Sequence, residues 1–325
     1  MEIYNGEFVP RPFGLANTGS ICYFNSLMQS LLSCPAFASS VSEDAETGTA
    51  LAYESFVRSA LSIGEKSAVD QTGITKGSII VLKALLGDIS TKRRFKFGNG
   101  QECASEAFIY FSEAIGEKFQ DLFAHAYSCD VFCPKCDKVV STSRDSSTQL
   151  DLFFLTNEFI EAPTSGADAN AIKDPTPWGI SRRDFITQIM YHKQRLDDYV
   201  CPECHGKDEK IRIYKLARLP DILVCVFDIY GFKHPRPVVP KYFPEDFGVP
   251  AKDGGKLYYK LVAQIEHFGS MFGGHYVARG LRKDGKVFNF NDMSVSEGAF
   301  SPTPNTYMIM YHIVDCPDRF AKGAS

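Results

Sequence analysis

Residues 14–32 read GLANTGSICYFNSLMQSLL, and this stretch decides how the rest of the chain is interpreted. Its apolar residues recur at helical spacing from Cys22 onward, and Gly14 and Gly19 precede them, so a helix is predicted to begin at Cys22. A thiol in the first turn of a helix lies at the positive end of the helix dipole, which lowers its pKa and favours the thiolate. Cys22 is therefore a candidate nucleophile, although a single cysteine at a helix start is more often a small buried apolar residue.

Asn17 lies five residues before Cys22 on a loop with glycines on both sides. Its side-chain amide can donate a hydrogen bond to the oxyanion that forms when a thiolate attacks a carbonyl group. The glycines allow this loop to approach the reacting atoms closely. Asn17 is therefore the candidate oxyanion donor.

A candidate base lies far along the chain, in HFGSMFGGHYVARGL at residues 267–281. His275 follows two glycines and precedes a strand-like run, and the later run VFNFND places Asn291 and Asp292 on the neighbouring strand of a predicted hairpin. Either of these two side chains could hold the imidazole. A cysteine, a histidine and an asparagine or aspartate form the set that thiolate acyl transfer requires. The chain has seven histidines, so the choice of His275 depends on the surrounding motif.

Two C-x-x-C pairs, CPKC at 133–136 and CPEC at 201–204, have the spacing of zinc knuckles. Four thiolates around one ion make a closed structural site, which would tie together two separated hairpins. We predict one structural zinc ion, with Cys133, Cys136, Cys201 and Cys204 as its ligands. The alternatives are four reduced cysteines without a metal, or a ligand set into which Cys129 or His205 is exchanged. A catalytic zinc ion is not expected, because no set of three ligands with an open fourth position is visible.

The coarse organisation is a helical first third followed by a mainly antiparallel β part, which is the α+β class. Helical patterns run through residues 53–61 and 104–111, and residues 161–179 read as an exposed loop. The predicted strands are Gln149–Leu155, Asp221–Ile229, Tyr259–Ile265, Gly285–Phe290 and Tyr307–His312. Catalytic groups from the two ends of the chain would then meet where the helical and β parts join.

Composition narrows the class of protein. Of the 325 residues 44% are hydrophobic and 23% charged, and the formal net charge is −4. No long run of one sign occurs, so neither nucleic acid nor a membrane is an expected partner. The first residues do not resemble a secretory signal, and no stretch approaches the ~20 apolar residues of a membrane span. We therefore expect a soluble monomer in the cytoplasm, with the nucleus as a second location.

These motifs resemble those of the ubiquitin-specific protease family. The family's nucleophile motif, G-L-x-N-x-G-N-T-C-Y-x-N-S-x-x-Q, is similar to residues 14–29, and its histidine motif, Y-x-L-x-A-x-x-x-H-x-G-x-x-x-x-G-H-Y, is similar to residues 259–276. Shorter resemblances lie between these two motifs and after the second, at residues 100–108, 149–155, 216–230, 241–249 and 290–295. The resemblance covers about residues 12 to 314, nearly the whole chain.

The resemblance implies a papain-like cysteine protease core with a helical thumb, a β palm and zinc-bearing β fingers. It implies a deubiquitinase that cuts the isopeptide bond at the C-terminal glycine of ubiquitin, with ubiquitin and ubiquitinated proteins as partners. It assigns Cys22 as nucleophile, His275 as base, Asn291 as the orienting residue, and Asn17 with help from Asp292 to the oxyanion. It also implies that residues 1–325 form one domain, with a thumb at about 12–118, fingers at about 119–150 and 190–225, and a palm at about 151–189 and 226–314.

Four departures from the family pattern affect the expected substrate preference more than the chemistry. Ser20 and Ile21 replace Asn-Thr before the nucleophile, Cys103 replaces an aspartate, Phe268 replaces a small residue, and FDIY at 227–230 replaces the usual strand end.

The sequence leaves three alternative functions open. The chain could cleave another ubiquitin-like modifier, bind ubiquitin without catalysis, or be a zinc-ribbon nucleic-acid binder, although it lacks the basic stripe that the last requires.

Overall fold

The structure is a computed structural model that describes residues 8–34, 47–63, 73–90, 102–152, 159–160, 185–186, 189–227, 229–230, 242–250, 255–270 and 272–314. Within these ranges five helices precede the first strand, and residues 185–186 and 189–190 between β4 and β5 are also helical, so the predicted α+β class is confirmed. The helices are α1 Cys22–Leu31, α2 Gly48–Leu61, α3 Gly77–Ser90, α4 Ala104–Ile115 and α5 Glu117–Phe123. The loop predicted at 161–179 lies outside the described residues.

The strands form two sheets. They are β1 His125–Cys133, β2 Lys138–Ser147, β3 Leu150–Leu152, β4 Phe159–Ile160, β5 Tyr191–Leu196, β6 Lys210–Arg218, β7 Ile222–Phe227, β8 Asp246–Pro250, β9 Lys256–Ser270, β10 Gly273–Leu281, β11 Val287–Asn291, β12 Ser294–Gly298 and β13 Thr306–Val314. One sheet has the order β2-β1-β6-β5-β4, and the other has the order β12-β11-β10-β9-β13-β7-β3 with β8 beside β9. Neighbours pair antiparallel except β3 and β7, which pair in parallel.

The predicted strands are present within the described residues, with differences at their ends. The strand predicted for Gln149–Leu155 is described only at Leu150–Leu152, and residues 153–155 lie outside the described residues. The strand predicted from Gly285 begins at Val287, because Gly285 has a φ of 75° and belongs to the turn between β10 and β11. The strand predicted for Asp221–Ile229 covers Ile222–Phe227, and it lies wholly in the larger sheet. The limits given for thumb, fingers and palm stay a prediction. No helix within the described ranges is long and apolar enough to cross a membrane.

Helix α1 lies at the centre of the core, between α4 on one side and β9 and β10 on the other. All 10 of its residues are buried, including the polar side chains of Asn25, Ser26, Gln29 and Ser30. Buried polar groups are stable only when they are hydrogen-bonded. The surroundings of α1 must therefore supply partners for these side chains, and two of those partners belong to the segment that carries Asn17.

Arg282, just after β10, holds the C-terminal end of α1. Its side chain is fully buried, and its guanidinium donates to Ser33 Oγ at 2.6 Å and to the Gln29 carbonyl at 3.2 Å, with a further bond to Gln29 Oε1. The guanidinium also lies 4.1 Å from the ring centroid of Phe290. A cation near the last carbonyls of a helix is favoured by the helix dipole. Arg282 thereby joins α1 to the hairpin that carries His275.

We expect Arg282→Met to lower the free energy of unfolding by about 3 kcal/mol, because buried acceptors on α1 lose their donor. Urea unfolding followed by circular dichroism measures the change. Arg58→Met is the matched control: Arg58 pairs with Glu54 on the exposed face of α2, so its loss should stay within about 0.5 kcal/mol. Equal losses in the two variants would contradict a structural role for Arg282.

Candidate active site

Cys22 is the first residue of α1, as predicted, and its side chain is 3% exposed. The backbone N–H of Tyr276 on β10 donates to Cys22 Sγ at 3.5 Å. Burial raises the pKa of the Cys22 thiol, the Tyr276 N–H lowers it, and the charge of Asp292 raises it again, with a net rise. The prediction of a lowered thiol pKa is therefore wrong for this conformation, because burial outweighs the donors at the helix start.

His275 and Asn291 face each other across the β10–β11 hairpin. His275 Nε2 lies 2.7 Å from Asn291 Oδ1. An amide oxygen can only accept, so Nε2 carries the proton and Nδ1 remains as the basic nitrogen. The sequence left open whether Asn291 or Asp292 holds the imidazole, and the structure shows Asn291 in contact. A neutral amide orients the ring without adding a charge next to it.

Asn17 and Asp292 form a second polar group beside Cys22. Asn17 Oδ1 accepts from the backbone N–H groups of Gly19 at 3.0 Å and Ile21 at 3.4 Å, and Asn17 Nδ2 donates to Asp292 Oδ2 at 2.9 Å. An amide nitrogen has two hydrogens, so one N–H of Asn17 is left to donate to a developing oxyanion. Asp292 does not contact the imidazole of His275 in any hydrogen bond of the described residues. Its carboxylate accepts a hydrogen bond from Asn17 instead.

Sequence reasoning missed two residues that hold the Asn17 segment. Asn25 Nδ2 donates to the Ala16 carbonyl at 3.3 Å, and Gln29 Nε2 donates to the Phe13 carbonyl at 2.8 Å. The two side chains are four residues apart, which places them on one face of α1. Polar residues inside a helix that is otherwise apolar were the available signal, since such residues must find partners when the helix is buried.

The four predicted metal ligands come together where the β1–β2 hairpin meets the segment between β5 and β6. The four Sγ atoms, those of Cys133, Cys136, Cys201 and Cys204, all lie within 4.8 Å of one another. The pair from 133 and 204 is 4.0 Å apart and the pair from 136 and 201 is 3.8 Å apart. Zn–S bonds of about 2.3 Å at tetrahedral angles require S···S distances of about 3.8 Å. The thiols therefore fit a tetrahedral zinc ion.

The two knuckles also share a backbone feature. Asp137 and His205, each directly after the second cysteine of its pair, have positive φ values of 53° and 52°. This left-handed conformation turns each chain back around the thiols. Neither His205 nor Cys129 belongs to the group of ligand atoms, and Cys129 Sγ contacts Asp145 Oδ2 at 3.2 Å. The alternative ligand sets are therefore wrong.

Two of the departures from the family pattern lie in one cluster around Tyr276. Cys103 Sγ lies 2.8 Å from the hydroxyl of Tyr307, whose ring centroid is 6.0 Å from that of Tyr276. On the other side, the His267 ring is 4.2 Å from Tyr276, and His267 Nδ1 contacts the hydroxyl of Tyr230. Burial and the neighbouring His275 lower the pKa of His267. The altered residues therefore adjoin the residue that contacts the Cys22 thiol.

A cysteine at the start of a buried helix, beside a hairpin that carries a histidine–asparagine pair, is the arrangement of a cysteine hydrolase. Comparison with known families agrees with this class. Residues 13–311 match the family model described as "Ubiquitin carboxyl-terminal hydrolase". The chain therefore belongs to the ubiquitin carboxyl-terminal hydrolase family.

Relatives with sequence similarity carry the same family name. The chain is 25% identical to ubiquitin carboxyl-terminal hydrolase 36 of Drosophila mojavensis over 92% of this chain and 26% of that protein. It is 30% identical to ubiquitin carboxyl-terminal hydrolase 15 of Rattus norvegicus over 47% of this chain and 18% of that protein. The chain thus spans about a quarter of the length of the first of these relatives.

Solved structures show the same fold. The SAGA deubiquitinating module of Ubp8, Sgf11, Sus1 and Sgf73 bound to monoubiquitin matches with a TM-score of 0.66 and 19% identity, covering 98% of this chain and 72% of the other. The same module bound to ubiquitin aldehyde matches with a TM-score of 0.64 and 18% identity, over 98% of this chain and 72% of the other. The likeness confirms the predicted fold class.

The raised pKa of Cys22 has a measurable consequence. In the free protein, alkylation of Cys22 by iodoacetamide should reach half its maximal rate at a higher pH than alkylation of a cysteine peptide. Asp292→Asn removes a negative charge near the thiol, so its midpoint should lie at lower pH than that of the wild type. Peptide mass spectrometry follows Cys22 alone.

Glu297→Gln, on the exposed strand β12, is the control and should leave the alkylation midpoint unchanged. A wild-type midpoint below that of the peptide would contradict the raised pKa. It would indicate that Cys22 and His275 already form an ion pair before substrate binds.

Proposed function

We propose that this protein is a thiol-dependent deubiquitinase, which hydrolyses the isopeptide bond at the C-terminal glycine of ubiquitin in conjugates or chains. The observation that carries the proposal is the bond from the Tyr276 N–H to Cys22 Sγ at 3.5 Å. Tyr276 directly follows His275 on β10, so this bond attaches the start of α1 to the strand that carries the proposed base. Asn291 at 2.7 Å orients that base.

In the proposed reaction, His275 Nδ1 accepts the proton of Cys22 as the sulfur attacks the carbonyl carbon. The remaining N–H of Asn17 donates to the oxyanion. The lysine amine then leaves with the proton from His275, and water, deprotonated by the same imidazole, releases the acyl group and restores the thiol.

Ubiquitin is the proposed substrate because the chain belongs to a family named for ubiquitin hydrolysis and shares its fold with structures that contain ubiquitin. The intact set of Cys22, His275, Asn291 and Asn17 argues against a domain that binds ubiquitin without catalysis. A monomeric state and a cytoplasmic or nuclear location stay predictions.

We also propose that the four-cysteine site holds one structural zinc ion. The ion would have Cys133, Cys136, Cys201 and Cys204 as its ligands and would join the β1–β2 hairpin to the segment between β5 and β6. With four protein ligands it has no open position, so it takes no part in the hydrolysis. The ion pair between Lys138 and Glu203, at 2.8 Å, joins the same two segments at the surface.

The first test uses ubiquitin with a C-terminal electrophile. Wild-type protein should gain the mass of one ubiquitin, because the Cys22 thiolate forms a covalent bond with the electrophile, whereas Cys22→Ala should gain none. Intact-mass spectrometry gives the result. In steady-state assays on a fluorogenic ubiquitin amide, Cys22→Ala should lose turnover by at least about 10⁴-fold.

Cys129→Ala is the matched control for this test, because Cys129 is a buried cysteine far along the chain from the site. It should be labelled like the wild type. Adduct formation on Cys22→Ala would overturn the assignment of the nucleophile. A wild-type protein that reacts only with an electrophilic ubiquitin-like modifier would overturn the choice of ubiquitin.

The second test concerns the metal. Purified protein should contain about one zinc ion per chain by elemental mass spectrometry, and Cys136→Ala should contain much less, because three thiolates bind zinc more weakly than four. The five-stranded sheet of Cys136→Ala should also unfold at a lower temperature than that of the wild type. Cys129→Ser, which changes a cysteine of the same sheet outside the ligand group, should keep its zinc. The proposal would be contradicted if the wild-type protein contained no zinc and Cys136→Ala had the same thermal stability as the wild type.

A further inference from the structure

Three hydrogen bonds connect helix α3 to the amide of Asn17. Ser78 Oγ donates to Asn25 Oδ1 at 2.6 Å, and Asn25 Nδ2 donates to Asp292 Oδ1 at 2.7 Å. The other oxygen of the same carboxylate, Asp292 Oδ2, accepts from Asn17 Nδ2 at 2.9 Å. The chain of bonds thus begins on α3 and ends at the proposed oxyanion donor.

The direction of these bonds follows from the chemistry of the partners. The Asp292 carboxylate and the Ala16 carbonyl are both acceptors, so the amide of Asn25 must present its nitrogen to them. Its oxygen then faces Ser78, which supplies the hydrogen. Asn25 is 2% exposed and Ser78 is 0% exposed, so water does not replace this donor. Without the hydroxyl, a buried acceptor on Asn25 would be left without its hydrogen bond.

Helix α3 is held firmly enough to serve as an anchor. The N–H of Ala16 donates to the Thr75 carbonyl, just before α3, at 2.7 Å, so the same part of the chain also holds the loop before Asn17. Gly77 packs so closely against the ring of Phe56 on α2 that a Cβ at this position would clash with it. The start of α3 is therefore packed closely against α2, and Ser78 follows directly.

The position of Asp292 also needs an explanation. Its negative charge raises the pKa of Cys22, which works against formation of the thiolate. Activation of the nucleophile therefore does not explain a carboxylate at this place. The contacts of Asp292 with the side-chain amides of Asn25 and Asn17 explain its position. A carboxylate that accepts a hydrogen bond on each oxygen can fix the direction of the Asn17 N–H groups.

We propose that Ser78 is a positioning residue for the hydrolysis: through Asn25 and Asp292 it directs the free N–H of Asn17 toward the carbonyl oxygen under attack. This inference rests on the proposed deubiquitinase function. Ser78 does not touch the substrate, and its effect belongs to the transition state, where the oxyanion forms. Ground-state binding of ubiquitin should therefore be independent of it.

The test compares Ser78→Ala with the wild type on a fluorogenic C-terminal amide of ubiquitin. We expect kcat to fall about five- to tenfold, the effect of losing one well-placed hydrogen bond, and KM to change less than about twofold. The inhibition constant of ubiquitin aldehyde, which forms a tetrahedral adduct with the thiol, should rise by a similar factor, while the Kd of unmodified ubiquitin stays constant. Ser78→Thr keeps the hydroxyl and should restore most of the loss.

Ser112→Ala is the matched control. Ser112 is also buried on a helix, but its hydroxyl bonds to the Ile109 carbonyl of the same helix, α4. This variant should keep its kcat. Rates are expressed per site that reacts with electrophilic ubiquitin, so that partial unfolding of a variant does not reduce kcat artificially.

A double-mutant cycle separates positioning from general destabilisation. Asn17→Ala alone should lower kcat on the order of 10²-fold. In that background, Ser78→Ala should have less than about a twofold effect, because the residue through which it acts is gone. An equal loss in both backgrounds, or an unchanged kcat in Ser78→Ala, would overturn the inference while leaving the deubiquitinase proposal intact. A wild type without turnover on any ubiquitin substrate would overturn both.

Discussion

The complete burial of α1 is the constraint on which the site depends. A helix with every residue buried must satisfy its own polar side chains, and in α1 these are Asn25, Ser26, Gln29 and Ser30. Two of them, Asn25 and Gln29, donate to backbone carbonyls of the segment before Asn17, those of Ala16 and Phe13. The requirement to pair buried amides thus also holds the loop that carries the proposed oxyanion donor. The hydrogen bonds that stabilise the buried helix are therefore also those that position this loop.

The two ends of α1 attach to the same β hairpin. At the N-terminal end, Cys22 Sγ accepts from the Tyr276 N–H on β10, and at the C-terminal end Arg282, just after β10, donates to Gln29 and Ser33. Both ends of the helix are therefore attached to the hairpin that carries His275. The proposed nucleophile and the proposed base are 253 positions apart in the sequence, and the packing of α1 on β10 places them on adjoining elements.

The cluster around Tyr276 shows where this chain differs from the family pattern. Cys103 and Tyr230 lie at its two ends, and each contributes a polar atom to a neighbouring side chain: Cys103 to Tyr307, and Tyr230 to His267. Phe268 and Phe272, in the hairpin before His275, are 44% and 91% exposed. These side chains lie on or beside the hairpin that carries His275, next to the proposed catalytic groups.

The sequence by itself determined the α+β class, the start of α1 at Cys22, the four thiols of the metal site and the identities of the candidate catalytic residues, because these depend on local periodicity and on motifs with short spacing. It did not determine whether Asn291 or Asp292 meets the imidazole, since adjacent residues differ only in the direction in which the turn after β11 points them. It also predicted a lowered pKa for Cys22, because the helix dipole can be read from position whereas burial cannot. Only the tertiary structure brought Ser78 to Asn25, since a contact between residues 53 positions apart depends on how α3 packs against α1 and leaves no local pattern in either segment.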